Sequence, residues 1–339
     1  MKVEQSPSLE RLSNAAVVAA YAVSSTMQML SPTRTPGSIE RVIAEAEKVI
    51  LGKHTQIRLA VACVLARGHL LIEDLPGVGK TTLAHVLARL FGLSFQRIQF
   101  TSDLLPADII GISIYDRSTS GFEFHPGPIF AQIILADEVN RATPKTQSAL
   151  LEAMEEHQVT TEGKTRPLPQ PFFVIATQNP SDQIGTFPLP ESQLDRFLMR
   201  IELGYPDRQA ERALLAGADR REMLATLAPA MKNDELATLQ TAVRDVHASS
   251  ALIDYVQALV EHSRRAPEFT NGLSPRAALS LLNAARAWAL VAGRDRVIPE
   301  DIQAVLPAVA GHRLVPRVTG VKRSSVELVT GLMQAVPIP

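Results

Sequence analysis

The feature that most constrains the fold is a glycine-rich turn, PGVGKT at residues 76–81, which lies between an apolar segment and a helical one. Residues 69–73 have the length and composition of a buried strand, and apolar residues recur at helical spacing from Thr82 onward. A strand, a loop and a helix in this order form the unit from which parallel sheets are built. The sequence therefore predicts an α/β domain with this turn at the carboxyl end of a strand.

The composition of the turn indicates a site for a polyphosphate. Gly77 and Gly79 let backbone amides approach phosphates without a Cβ in the way, and the following helix adds favourable partial positive charge. Lys80 is expected to reach the β and γ phosphates, and the hydroxyl of Thr81 to bind Mg²⁺. Asp74 stands where the usual pattern has its first glycine. We assign to nucleotide binding the residues Asp74, Pro76, Gly77, Val78, Gly79, Lys80, Thr81 and Thr82.

The rest of the chain fits a doubly wound sheet followed by a helical domain. Two helices, at residues 39–51 and 55–66, are predicted before the first strand. Apolar strands alternate with helical segments and are predicted at residues 95–100, 132–136, 172–177 and 197–203. The strand signal then fades, and helices are predicted at residues 252–262, 275–291 and 299–309. We therefore expect a parallel-sheet α/β core at residues 38–204 and a smaller all-α domain at residues 205–339.

Two inserts interrupt the predicted core, at residues 111–128 and 158–168. The first is rich in glycine, serine and aromatic residues, and the second has Glu162-Gly163 where a hairpin turn would lie. We predict that both are protruding β-hairpins, with long loops as the alternative.

Composition limits the partners and the compartment. The 34 basic and 35 acidic side chains nearly cancel, which removes the simplest reason to expect a general nucleic-acid binder. The single cysteine, Cys63, lies in an apolar run, so we expect a buried, inert thiol, and few cysteines fit a reducing cytoplasm. The apolar stretch at residues 15–23 is too short for a transmembrane helix, and its flanking charges of both signs are unlike a signal peptide. We expect a cytoplasmic protein with no transmembrane segment.

The N-terminus is predicted to be a weakly ordered extension, residues 1–37, that ends in a linker at residues 31–37. Met27 and Met29 are alternative start positions for the native protein. The intact mass of the native protein would decide between them.

Two adjacent acids, Asp137 and Glu138, follow the apolar strand at residues 132–136. Since that strand is expected to end beside the phosphate loop, Asp137 would hold Mg²⁺ through water, and Glu138 would orient and deprotonate the attacking water. An acidic pair at a strand end is more often solvated surface. The phosphate loop upstream favours the catalytic interpretation.

Three further polar residues gain a function only from their context. Asn179 follows the strand at residues 172–177, where its amide can position water, although an asparagine before proline is more often a turn former. Arg196 precedes the last strand of the predicted core. It could form a surface salt bridge to a nearby acid, or it could act in trans at the γ phosphate of a neighbouring subunit. Arg276 follows Ser274-Pro275 at a helix N-terminus, where a cation opposes the helix dipole. A phosphate therefore explains Arg276 better than local stability does.

Taken together, these residues resemble the AAA+ ATPases and, among them, the MoxR family. The resemblance rests on residues 72–83, on 124–159 with ADEVNRA at 136–142, on 173–200 with TFPLP at 186–190, and on SPRAA at 274–278. It covers the chain from about residue 38 to the C-terminus. It implies an ATPase core with a helix-2 insert and a hairpin before the sensor-1 strand, a helical lid, and a hexameric ring that uses ATP and Mg²⁺.

The resemblance also implies roles for single residues. Asn179 would be sensor 1, Arg196 the arginine finger and Arg276 sensor 2, and Ile50 and Gly52 would line the adenine pocket. Asp74 is similar to a variation that the family itself uses. The implied work is that of a chaperone that matures or remodels a protein client or inserts its cofactor, often with a separate partner that carries a von Willebrand factor A domain.

Three functions stay open at this point. The leading hypothesis is ATP-driven remodelling of a protein client, with the two hairpins as working surfaces. The second is a nucleic-acid motor, since helicase relatives share these inserts; Lys164 and Arg166 give the second hairpin positive charge, which Glu162 tempers. The third is a nucleotide-dependent scaffold with little turnover. We expect the first, with nucleic acid not among the partners.

Overall fold

The computed structural model describes residues 37–338, with the exception of 119, 180–184, 218 and 318–323. The extension predicted for residues 1–37 therefore lies outside the described residues, except at Gly37. That residue begins a helix, so the predicted linker is one residue too long. None of the described helices combines the length and the apolar character that a bilayer-spanning segment needs.

The first part of the described chain carries a central sheet. Its elements are α1 (Gly37–Val49), α2 (His54–Leu65), β1 (Leu70–Glu73), α3 (Lys80–Leu90), β2 (Phe95–Gln99), α4 (Pro106–Ile110), β3 (Gly111–Asp116), β4 (Gly121–Pro126), β5 (Ile133–Asp137), α5 (Pro144–Glu156), β6 (Gln158–Thr161), β7 (Lys164–Pro167), β8 (Phe173–Gln178), α6 (Glu191–Leu194) and β9 (Met199–Ile201). Short 3-10 helices at Pro128–Phe130 and Val139–Arg141 flank β5. The sheet is parallel and five-stranded, in the order β2-β5-β8-β1-β9.

Both faces of this sheet are buried at β1, β5 and β8, which explains why these strands read as continuous apolar runs, whereas β2 at the edge is mostly exposed. Leu70 and Ile72 of β1 pack in one apolar cluster with α1, α2 and α3. Leu71 points to the other face, where it belongs to a second cluster with Leu150 and Met154 of α5. Parallel pairing brings the carboxyl ends of β1, β5 and β8 to one edge. The residues that follow these three strands therefore lie close together.

The last strand, β9, is shorter than the strand predicted at residues 197–203, because side chains bond the backbone at both of its ends. The guanidinium of Arg313 donates to the carbonyl of Leu198 (3.2 Å), and the amide of Leu203 donates to the carboxylate of Asp74 (2.7 Å). Pairing with β1 is therefore confined to Met199–Ile201.

The C-terminal part forms the predicted helical domain, with helices beyond the three ranges predicted and with one short β pair. Its elements are α7 (Arg208–Ala216), α8 (Arg220–Thr226), α9 (Asn233–Asp245), α10 (Ser250–Arg265), β10 (Phe269–Asn271), α11 (Pro275–Val291), α12 (Pro299–Ala310), β11 (Val315–Pro316) and α13 (Ser325–Ala335). The sequence does not predict the antiparallel pair β10 and β11, because both are too short to show a period. The predicted boundary at residue 204 stays a prediction, since the apolar cluster under β1 continues into α10, α11 and α12.

Both inserts are β-hairpins, as predicted. β3 pairs with β4 and β6 with β7, all antiparallel, and Glu162 and Gly163 both have positive φ in the tight turn of the second hairpin. The hairpins touch each other, because the hydroxyl of Ser113 donates to Glu162 and the guanidinium of Arg166 lies 3.7 Å from the ring centre of Phe124. The alternative of long loops does not hold for these segments.

A buried histidine ties the amino end of β1 to its surroundings. His69 is 5% exposed, and its Nδ1 accepts from the amide of Val174 (3.0 Å). Its Nε2 therefore carries the proton and donates to the carbonyl of Met154 (3.2 Å). Because burial disfavours the charged ring, the pKa of His69 is lowered to about 4.

We expect the fold to lose stability as the pH falls from 6.5 toward 4. The unfolded chain takes up a proton on His69 near its ordinary pKa of 6.5, whereas the folded chain does so only near 4. The unfolded state therefore binds more protons throughout this window, and about 3 kcal/mol of unfolding free energy should be lost across it. Urea unfolding at a series of pH values measures the slope.

Two substitutions isolate the contribution of His69. His69→Asn should be less stable at neutral pH and should show a shallower slope of unfolding free energy against pH. Part of the slope should remain, because His312 is also buried and its pKa is also lowered. The exposed His125, changed to Asn, should leave the slope as it is. A slope in His69→Asn as steep as in the wild type would contradict the prediction.

Candidate active site

The phosphate loop follows β1 and leads into α3. Gly77 and Gly79 have φ values of +84° and +99°, a region that other residues rarely adopt. A Cβ built on either glycine would meet nothing within 4 Å, so the space above the loop is open. Lys80 begins α3, and its ammonium donates to the carbonyl of Asp74 (2.6 Å), which folds the side chain back over the loop. The loop can therefore present its amides and a lysine to a polyphosphate.

Asp74, the irregular position of the loop, has a structural role. Its carboxylate accepts hydrogen bonds from the amides of Leu203 (2.7 Å), Gly204 (2.6 Å) and Leu75 (2.7 Å). The side chain of Asp74 therefore faces the segment that leaves β9, while its carbonyl accepts from Lys80. The assignment of Asp74 to nucleotide binding stays a prediction.

A chain of hydrogen bonds joins Lys80 to the predicted catalytic acid. Lys80 Nζ donates to Asn179 Oδ1 (3.1 Å), and Asn179 Nδ2 donates to Glu138 Oε1 (3.2 Å). The other carboxylate oxygen of Glu138 accepts from Gln99 Nε2 (3.1 Å) and Arg141 Nη1 (2.8 Å). Burial lowers the pKa of Lys80, and the nearby carboxylates oppose that shift. The structure thus brings together three residues from three separate sequence motifs.

The neighbouring acid, Asp137, is held from two sides. Thr177 Oγ1 donates to its Oδ1 (2.5 Å), and Arg97 donates to its Oδ2 from Nε (3.1 Å) and Nη2 (2.6 Å). Sequence reasoning misses Arg97 and Gln99 because both lie on β2, and only the strand order places β2 beside β5. The available signal was their spacing, because alternate residues of a strand share one face. In the structure, Gln99 lies opposite Asp137 in register.

The oxygen donors at this edge fit Mg²⁺ that is bound together with a nucleotide. Among the described residues, no group of three or more His, Cys, Asp or Glu side chains could hold a metal ion. Mg²⁺ is usually held by one or two protein oxygens together with water and phosphate oxygens. The carboxylate of Asp137 and the hydroxyl of Thr81 are donors of that kind. Thr81 and Thr82 lie half-buried in the first turn of α3, Val78 is half-buried, and Pro76 is exposed.

The segment predicted to line an adenine pocket packs against the start of the helical domain. Gly52 has a φ of +69°, and a Cβ there would lie 3.0 Å from the side chain of Ala210. Lys53 Nζ donates to the carbonyl of Tyr205 (2.7 Å). Ile50 is only 7% exposed and packs in the apolar core. The contact of Ile50 and Gly52 with adenine stays a prediction.

The two predicted phosphate-binding arginines meet at the other end of β1. Glu155, in the last turn of α5, pairs with Arg196 at 2.8 Å and with Arg276 at 2.6 Å. These three side chains line a cleft of about 530 Å³. Gly68 and His69, which immediately precede β1, line it too. The phosphate loop, by contrast, follows β1. Both arginines therefore lie a full strand length away from the phosphate loop of their own chain.

Glu155 gives Arg276 a structural explanation that the sequence did not predict. The helix dipole disfavours a cation at this helix N-terminus, but an ion-pair partner 121 residues away in the chain stabilises it. Arg196 likewise makes an ion pair, which was the competing interpretation, and it also donates to the carbonyl of Leu151 (2.6 Å). A role of either arginine at a phosphate stays a prediction, and in this conformation both pair with Glu155 at the end of β1 opposite the phosphate loop.

Comparison with known proteins agrees with this geometry. Residues 69–199 match the ATPase family associated with various cellular activities (AAA), and residues 261–330 match the AAA lid domain. The uncharacterized protein YeaC of Bacillus subtilis is 44% identical over 303 residues, which cover 88% of this chain and 94% of YeaC. Chaperone MoxR1 of Mycobacterium tuberculosis is 41% identical over 287 residues, which cover 82% of this chain and 76% of MoxR1. The chain belongs to the MoxR family of AAA+ ATPases.

A solved structure shows the same architecture. The crystal structure of a candidate ATPase from Cytophaga hutchinsonii matches this MoxR-family chain with a TM-score of 0.82 and 37% identity, over 89% of this chain and 95% of that one. The predicted AAA+ core and helical lid are confirmed, and the chain is a nucleotide-binding ATPase. The matched core contains the phosphate loop, Asp137, Glu138, Asn179 and Arg196, and the matched lid contains Arg276.

Proposed function

We propose that this MoxR-family ATPase works as a homo-oligomeric ring, hexameric as the family resemblance implies, in which each ATP is hydrolysed between two subunits. One observation supports this most directly: Arg196 and Arg276 lie together at the amino end of β1, while the phosphate loop lies at its carboxyl end. The four residues of β1 span roughly 13 Å, farther than one side chain reaches. A neighbouring subunit that places its phosphate loop against this cleft completes the site.

The contacts within one subunit suggest how the reaction proceeds. The loop amides and Lys80 bind the β and γ phosphates. Thr81 and Asp137 would hold Mg²⁺, which would supply positive charge against the phosphates. Glu138 orients the attacking water and takes its proton. Asn179, which is bonded to both Lys80 and Glu138, keeps the acid and the lysine at a fixed separation.

We further propose that the hairpins act on a protein client, as a chaperone does. Phe122 is 76% exposed and Tyr115 52% exposed, and their rings pack edge to face at 5.4 Å on the first hairpin. Ile112 and Ile114 are also about half exposed on the same hairpin. Exposed aromatic and aliphatic side chains on a protruding element suit a polypeptide better than a phosphate backbone. A cytoplasmic location and a separate partner with a von Willebrand factor A domain belong to the same proposal.

The nucleic-acid motor is the competing function. The second hairpin offers Lys164 and Arg166 as cations, but the guanidinium of Arg166 lies on the ring of Phe124. Glu162 adds a negative charge at the turn that precedes both cations. The charge of the hairpin pair therefore favours a protein client over a phosphate backbone.

Client capture by the Glu138→Gln variant in the presence of ATP tests the proposal. We expect this variant to retain a client protein, and we expect Phe122→Ser in the same background to lose it, because the most exposed ring of the hairpins is removed. Leu215→Ser, at an 86% exposed apolar position of the lid, is the matched control and should retain the client. Strongly salt-dependent DNA binding without any client capture would favour the motor instead.

A further inference from the structure

One carboxylate connects the two arginines of the cleft. Glu155 Oε1 pairs with Arg276 (2.6 Å) and Oε2 with Arg196 (2.8 Å), so each oxygen holds a different guanidinium. The hydrogen bond from Arg276, together with the charge of Arg196, lowers the pKa of Glu155, which is therefore ionised at neutral pH. Glu155 lies in the last turn of α5, directly before the second hairpin begins.

The two arginines differ in how firmly they are otherwise held. Arg196 is 27% exposed and also donates to the carbonyl of Leu151 (2.6 Å), on the same helix as Glu155. Arg276 is 52% exposed, and its guanidinium is hydrogen-bonded to Glu155. Glu155 therefore ties the more exposed arginine to the better-held one.

The surroundings make this carboxylate important. Two carboxylates, Glu155 and Asp195, face six arginines in the cleft, and Asp195 is already paired with the buried Arg313 (2.6 Å). Without the charge of Glu155, Arg196 and Arg276 would repel each other with no acid between them. The arginines that line the cleft are Arg67, Arg196, Arg244, Arg276, Arg286 and Arg313.

Both guanidinium groups still have donors for a further anion. A guanidinium carries five N–H groups, and Glu155 engages one nitrogen of each arginine. We propose that Glu155 is a positioning residue that holds Arg196 and Arg276 as one cationic unit, ready for the γ phosphate bound to the neighbouring subunit. This inference rests on the shared site proposed above.

Glu155→Gln tests the inference in steady-state kinetics, because it keeps the shape of the side chain and removes its charge. We expect kcat for ATP to fall by about ten- to a hundred-fold, since misplaced groups lose that order of rate, and KM to stay within about twofold. Glu152→Gln is the matched control, on an exposed acid three residues earlier on α5, and should behave as the wild type. A wild-type kcat in Glu155→Gln would overturn the proposal.

Non-additivity separates positioning from a general loss of structure. In an Arg196→Ala, Arg276→Ala background there is no arginine pair left to position, so adding Glu155→Gln should lower the residual kcat no further. If Glu155 instead only supported the fold of α5, the third substitution would lower kcat by the same factor as in the wild type. That result would overturn the proposal.

Mixed rings show whether Glu155 acts on the neighbour. Glu155→Gln subunits keep an intact phosphate site, and Glu138→Gln subunits keep an intact arginine cleft. Mixing the two should give more ATP hydrolysis than the sum of the separate preparations, because each intact phosphate site can then face an intact cleft. Arg196→Ala mixed with Glu138→Gln is the reference for the shared site itself.

The two mixtures distinguish the possible failures. If the Arg196→Ala mixture gains activity and the Glu155→Gln mixture does not, Glu155 acts within its own subunit and the inference is wrong while the shared site stands. If neither mixture gains activity, the shared site is wrong and the inference falls with it. Gain in both mixtures supports both.

Discussion

Arg196→Ala should lower kcat for ATP hydrolysis by about 10³-fold while ATP binding stays within a few fold of the wild type. The arginine lies away from the phosphate loop of its own chain, so its loss should leave binding of the nucleotide by that loop intact. In the proposed shared site, the substitution removes positive charge at the γ phosphate of the neighbouring subunit, where negative charge accumulates in the transition state. Steady-state hydrolysis together with a separate binding measurement, using a fluorescent nucleotide, gives both quantities.

Two comparisons sharpen this test. Arg196→Lys keeps the charge but cannot reproduce the guanidinium geometry, so it should recover only a small part of the lost kcat. Arg265→Ala removes an 81% exposed arginine of the lid and should have no effect. A kcat in Arg196→Ala that equals that of the wild type and does not vary with protein concentration would contradict the proposal of a shared site.

Glu138→Gln should lower kcat by about 10³-fold with ATP binding retained. The amide keeps the size of the side chain and one oxygen for Asn179 Nδ2, so the site should keep its shape, but it cannot take a proton from water. Its contact with Gln99 must rearrange, because the new NH2 group would face the NH2 group of Gln99 and two donors cannot bond each other. Single-turnover hydrolysis and nucleotide binding, measured on the same preparation, separate the two effects.

This prediction also decides between an enzyme and a scaffold. Glu211→Gln, at an exposed acid of the lid, is the control and should hydrolyse ATP as the wild type does. Equally slow hydrolysis by the wild type, Glu138→Gln and the control would show that turnover does not depend on the predicted base. The nucleotide-dependent scaffold would then be the better description.

The parts of the site that are continuous in sequence could be predicted, and the parts that depend on strand order or domain packing could not. Gly77, Gly79 and Lys80 are close in the chain, so their geometry follows from a strand, a turn and a helix. Gln99 and Glu138 meet only because β2 lies next to β5. A single sequence does not specify that neighbour relation.

Arg276 shows the same limit from the other side. The helix start and its Ser274 cap are local and were predictable, because a serine before a proline is a strong helix-start signal. The partner of the arginine, Glu155, belongs to the core, and only the packing of the lid on that core brings the two together. Arguments from the helix dipole alone therefore missed the ion pair that explains its position.

The carboxylate of Asp74 has a mechanical consequence. It bonds the phosphate loop to the amides of Leu203 and Gly204, where the chain leaves the sheet for the lid. A loop with glycine at this position could shift on its own, whereas here any shift must either break two short hydrogen bonds or carry the departing segment with it. The phosphate loop is thereby linked to the start of the lid by the side chain of Asp74, at the position where the loop departs from the common pattern.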